Sequence, residues 1–213
     1  MFRRKAARRK KGFSFGISPA FLALLLLFAV VDHQGLLLPI LLAAAIHEAG
    51  HVLALYAVGG RLCQFRITIF GGELQILHSE RLSYGRELLA VLAGPAANFL
   101  CALLLARAAV CCGWEQGYLS AGIHLLLGGF NMLPLRALDG GRSLFLVLSW
   151  LFEPITADRI VHGVSVLVLG GLLLCGTALQ GMIGLQLPLL LLEGWFVLSW
   201  CTETGIVKPA ATG

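Results

Sequence analysis

Apolar residues run with little interruption through six stretches of the chain, at roughly 17–31, 36–58, 87–110, 118–152, 160–179 and 182–200. Most approach the ~20 residues that an α-helix needs to cross a hydrocarbon core. The pattern predicts an all-α polytopic membrane protein of about six transmembrane helices. Two stretches depart from it. Gln64–Phe70 and Glu73–His78 alternate and are rich in β-formers, with Gly71-Gly72 between them, which predicts a membrane-associated β-hairpin on the cytoplasmic side. Phe130–Arg142 (FNMLPLRALDGGR) carries Asn, Pro, Asp and paired Gly inside the fourth apolar stretch. Backbone of that kind persists at membrane depth only where protein buries it or a wet cavity borders it, so the fourth helix is expected to be broken.

Composition supports this picture. Hydrophobic residues make up 58% of the 213 positions and charged residues 13%, about half the ~25% charge of a soluble domain. Soluble globular structure, disorder, collagen and coiled coil are all disfavoured. The expected organisation is a single integral membrane domain, residues 1–213, with its core at about 36–152 and a basic tail at 1–12. The six cysteines show no metal-ligand spacing and are expected to be reduced packing residues.

Charge sets the expected orientation. Seven of the 16 Lys and Arg residues lie between Arg3 and Lys11, directly before an apolar stretch. Such a run holds the N-terminus in the cytoplasm and contacts anionic lipid; nucleic acid is not an expected partner. Arg61, Arg66, Arg81, Arg86, Arg159 and Lys208 also fall on the inner side of a six-crossing arrangement with both termini cytoplasmic, and Arg107 is the one charge out of place. The first stretch resembles a signal peptide in its basic head, but Ala29-Val30-Val31-Asp32 is a poor cleavage site, so a retained helix is expected.

The chemistry concentrates at His47-Glu48-Ala49-Gly50-His51. Histidines at i and i+4 project from one helical face and can reach one metal ion, with the Glu placed to take a proton from water there. Imidazole suits Zn2+, which would activate water and polarise a carbonyl. His-Glu-His within the apolar stretch Leu36–Val58 is costly and marks a functional site. His47 precedes Val58 by 11 residues, about 16 Å of helix, so a peptide bond would have to enter the bilayer to reach it. A catalytic zinc needs a third protein ligand. Asp139, flanked by Gly140-Gly141, is the candidate; the competing role is a cap for the following helix. Gly94, Asn98, Ala90 and Ala97 form a small-residue strip suited to packing against Ala43–Ala45 and Gly50, with a direct role of Asn98 in the site as the alternative. His124 and His162, isolated in apolar stretches, are expected to hydrogen-bond between helices.

Three motifs in order, His47-Glu-Ala-Gly-His51, Gly94-Pro95-Ala-Ala-Asn98 and Asn131-Met-Leu-Pro134-Leu-Arg-Ala-Leu138-Asp139-Gly140-Gly141, resemble those of the site-2 protease family of intramembrane zinc metalloproteases. Within it the chain looks most like the stage IV sporulation protease group. The resemblance implies one zinc held by His47, His51 and Asp139, with Glu48 activating water. It also implies that Asn131 helps hold the substrate or the tetrahedral intermediate. Arg136 and Ala137 depart from the family pattern before Leu138-Asp139, which bears on local backbone and substrate preference. No inserted PDZ domain and no CBS domain are expected.

The function expected is hydrolysis of a peptide bond in or near a transmembrane segment of a membrane-bound substrate, with pro-sigma factor processing as the narrower form. The setting implied is a bacterial cell membrane, with membrane inhibitor or regulator proteins as further partners. Phe70, Gly71 and Gly72 in the hairpin turn, with Asn98 and Asn131, are the candidate substrate-binding residues. The hairpin either pairs with an unwound substrate by β-augmentation or merely covers helix ends. A non-catalytic zinc-containing adaptor that binds transmembrane helices is the alternative, and intact Glu48 weighs against it.

Overall fold

The computed structural model describes residues 14–68, 71–77 and 82–183, with the single positions 194 and 197. In chain order these form β1 (Ser14–Ile17), α1 (Pro19–Val31), α2 (Leu37–Ala57), β2 (Arg61–Thr68), β3 (Gly71–Leu77), α3 (Tyr84–Cys112), α4 (Glu115–Asn131), α5 (Asp139–Leu148) and α6 (Pro154–Ile183).

The protein is an α-helical membrane protein with a small sheet. Among the described residues three helices are long and apolar enough to cross a membrane, Leu37–Ala57, Tyr84–Cys112 and Pro154–Ala178, and α1 is a shorter apolar helix. Their outer faces expose large apolar side chains, among them Leu26, Leu53, Leu103 and Leu167, a surface that lipid tolerates and water does not. The fifth expected stretch, 160–179, belongs to a longer helix that starts at Pro154, where proline's fixed φ suits a first turn. Most of the sixth, 182–200, lies outside the described residues.

The helix packing follows from spacing. On α2 the buried residues are Ala43, His47, His51 and Leu55, each four apart, so one face carries both histidines inward. α3 packs against α2, α4 and α5 and buries Ala90, Gly94, Pro95, Asn98 and Ala102 on its facing side. The small-residue strip has the expected effect. A Cβ on Gly50 would meet the Ala93 carbonyl and sit 3.0 Å from the Ala97 Cβ, so α2 and α3 approach more closely than larger side chains permit.

The expected hairpin is present. β2 and β3 pair antiparallel from Arg61↔Leu77 to Thr68↔Gly71, with a register shift between Leu62 and Gln64. Its strands start earlier than the alternating pattern did, because pairing extends to Arg61. Not expected was β1, which pairs parallel with β2, Ser14 opposite Gln64 and Ile17 opposite Ile67. Four residues are too few for a period-2 signal at the head of an apolar run. Leu55, Ala90, Val91 and Leu146 form a core cluster beneath the sheet, with Leu62 and Phe65 of β2 packed on it.

The broken segment is two helices. Between α4 and α5, residues 132–138 turn on short-range bonds, Leu135 N–H to Leu133 O and Leu138 N–H to Leu135 O. Ser165 of α6 accepts from the Arg136 amide at 3.0 Å. Cβ atoms on Gly140 and Gly141 would overlap the carbonyls of Met132, Leu133 and Leu135. Only glycine lets α5 begin against this loop.

Candidate metal centre

His47 and His51 come from the inward face of α2 and Asp139 from the first turn of α5. The three side chains converge: His47 Nε2 lies 3.0 Å from Asp139 Oδ2, His51 Nε2 lies 3.1 Å from the same oxygen, and the two Nε2 atoms are 3.2 Å apart. The imidazole rings meet edge to face, their planes at 86°. His47 and His51 are 5% and 3% exposed.

The donor set fits a zinc ion on chemistry as well as spacing. His51 Nδ1 donates to the Ala90 carbonyl at 2.9 Å, so in the neutral ring Nε2 carries a lone pair. That lone pair faces a second imidazole nitrogen and a carboxylate oxygen. A proton satisfies at most one of these contacts well, whereas a divalent cation satisfies all three. Ligand atoms about 2.0–2.2 Å from a tetrahedral zinc would stand about 3.3–3.6 Å apart, a few tenths of an ångström wider than the cluster. These are the residues that could hold a metal among the described ones.

Their surroundings are built around them. Gly94 of α3 faces the His51 ring so closely that a Cβ there would overlap it. Pro95 follows, a residue that withholds a helical donor and crowds the preceding turn, and in that turn the Ala90 carbonyl receives His51. Asp139 does not cap α5: the cap position is Leu138, with no side-chain cap bond, and the carboxylate is directed to the histidines instead. Arg142, one turn along α5, donates to Glu87 of α3. Glu87 is 3% exposed, so this ion pair ties α5, and Asp139 with it, to α3 inside the protein. Nothing in the hydropathy pattern distinguishes Glu87 and Arg142 from surface charges, and the pair was not legible in the sequence.

Glu48, next to His47 and half-buried, accepts a hydrogen bond from the Gly72 amide at 3.1 Å. A Cβ on Gly72 would overlap the Glu48 carboxylate. Of the candidate substrate-binding residues, Gly71 and Gly72 thus lie at the Glu48 side of the site, while Phe70 lies outside the described residues. Asn98 is fully enclosed, its carboxamide 3.1 Å from His47 Nδ1. Asn131 ends α4, and its amide nitrogen donates to Leu127 one turn back. His124 makes the expected interhelical bond, its Nδ1 3.0 Å from Asn98 Oδ1. Arg136, the departure from the family pattern, forms an ion pair with Asp158 of α6. Both border a cavity of about 170 Å³ that reaches Asp139.

No family model matches the chain. A zinc metalloprotease of Methanocaldococcus jannaschii is 24% identical over 128 residues, which cover 58% of this chain and 37% of that protein. The chain thus matches little more than a third of that relative's length. A solved structure, the site-2 protease from the same organism, superposes with a TM-score of 0.66 at 20% identity, covering 97% of both chains. The chain has the site-2 protease fold.

Proposed function

We propose that the protein is an intramembrane zinc metalloprotease of the site-2 protease family, which hydrolyses a peptide bond in or near a transmembrane segment of a membrane-bound substrate. The observation that carries this reading is the convergence of His47, His51 and Asp139 on one point beside Glu48, on a fold shared with a solved site-2 protease.

Zinc bound there would lower the pKa of water toward 7 and polarise the scissile carbonyl. His47, His51 and Asp139 would hold it, and the carboxylate would offset one of its two charges. Glu48 is the general base: it takes the proton of the attacking water and passes it to the leaving amine. The Gly72 N–H on Glu48 Oε1 restrains that carboxylate. The Leu- and Ala-rich walls of α2 and α3 keep the site in a low dielectric, where charge stabilisation is strongest.

A helical substrate must unwind before its peptide bond is accessible. Among the described residues the strand order is β1-β2-β3, with β3 at an edge, and β3 begins at Gly71-Gly72 beside Glu48. An extended substrate segment pairing with β3 would be led to the base by backbone hydrogen bonds. That geometry supports β-augmentation as the role of the hairpin.

Zinc analysis of the purified protein tests the centre. About one zinc per chain is expected, with most of it lost in His47→Ala, His51→Ala and Asp139→Ala. Full occupancy in Asp139→Ala would remove Asp139 from the ligand set, and a wild-type protein without zinc would overturn the proposal. Zinc without cleavage of any membrane substrate would favour the adaptor.

A further inference from the structure

His47 would offer the metal the lone pair of Nε2, the nitrogen facing Asp139 and His51. In a neutral imidazole this places the ring proton on Nδ1, which then requires an acceptor. The group at Nδ1 is the Asn98 carboxamide at 3.1 Å. The other end of that amide meets His124 Nδ1 at 3.0 Å. Asn98 is 0% exposed and His124 4%, so neither is offered to water or to a substrate from this position.

The structure places Nδ2 toward His47 and Oδ1 toward His124. The two ends of a carboxamide have the same shape, so hydrogen bonding decides which end faces which ring. A His47 proton on Nδ1 selects Oδ1. The amide NH2 then faces His124, whose Nδ1 must accept, with that ring's proton on Nε2. The reverse orientation would bring two donors together at His47 in a buried site, where an unsatisfied donor is costly.

We propose that His124 is a positioning residue for the metal centre. By accepting from Asn98 Nδ2 it holds Asn98 Oδ1 on His47, and so fixes the tautomer and ring angle in which His47 binds zinc. This rests on the proposed zinc centre and extends it by a second protein layer, from α4 through α3 to α2. Partners one step removed from a metal ligand commonly change metal affinity by about 10–100-fold when lost.

The test measures zinc affinity of the full chain in detergent by chelator competition, with the Co2+ ligand-field spectrum as a second readout. His124→Leu is expected to weaken zinc about 10–100-fold and to perturb the Co2+ spectrum. The same change in an Asn98→Leu background should add little, since the relay is already broken. His124→Asn, whose amide oxygen can stand where the imidazole Nδ1 stood, should restore most of the affinity. His124→Gln sets its amide one bond further out and should not. Wild-type affinity in a folded His124→Leu, or additive losses in the double variant, would overturn the relay. If His124→Leu does not fold, the Asn and Gln variants decide, and equal affinities in the two would overturn it. A wild-type protein that binds no zinc would instead overturn the proposed function itself.

Discussion

Gly72 shows how much of the site depends on a missing side chain. Its amide holds Glu48, and its Cα leaves no room for a Cβ beside the carboxylate. Gly72→Ala should therefore fold, because the flexible end of Glu48 can move aside, and should keep zinc. Displacing a catalytic group by about 1 Å can cost about 100-fold, so cleavage is expected to fall by about 10–100-fold. Unchanged cleavage would show that the hairpin turn does not set the position of Glu48. At this scale the sequence was informative where residue type and spacing coincide with chemistry. His47, Glu48 and His51 follow from helical periodicity, and Asp139 from the need for a third ligand. An interhelical bond of His124 was expected, but Asn98 as its partner was not legible, because it depends on how α3 and α4 are rotated against each other and no local spacing encodes that rotation.

The elements were legible in kind and less so in extent. The broken fourth stretch, the hairpin and the α2–α3 strip follow from Gly, Pro, Asn and alternation. β1 and the start of α6 did not, since apolar runs mask helix ends. The ion pair between Arg142 and the buried Glu87 joins α5 to α3, and removing Glu87 leaves the half-buried Arg142 charge uncompensated. Glu87→Ala is expected to destabilise the fold by about 3 kcal/mol and lower zinc affinity as α5 shifts; thermal unfolding beside zinc titration checks both. A second end contact is Asp32, whose carboxylate accepts from the Leu36 and Leu37 amides at 2.8 and 2.9 Å. The hydrogen bond from Leu37, with others from that turn, holds its pKa below the usual carboxylate value. A lowered folded pKa gives stability that is present above the unfolded value of about 3.9 and lost as pH falls through the folded one. The gap in Tm between wild type and Asp32→Ala should hold steady from pH 5 to 8 and shrink below about pH 4. A gap that widens in acid would contradict this capping role.

For the whole molecule, the topology gathers separate parts of the chain at one place. α2 brings two histidines, α5 an aspartate, α3 the glycine and carbonyl that seat His51, and the hairpin turn a contact to Glu48. The parallel pairing of β1 with β2 sets residues 14–17 and 61–68 at the same end of the protein. Hydropathy pointed to the membrane class, but the number of crossings could not be read from it alone, because apolar runs merge into longer helices or divide at a loop such as 132–138. The hydrolytic assignment rests on Glu48 acting as base without binding the metal. The most direct test compares wild type with Glu48→Gln on a transmembrane test substrate in detergent, with zinc assayed in both. Glu48→Gln is expected to keep its zinc, to bind the substrate and to cut it about 100–10,000-fold more slowly. Cleavage near the wild-type rate with zinc in place would contradict the mechanism.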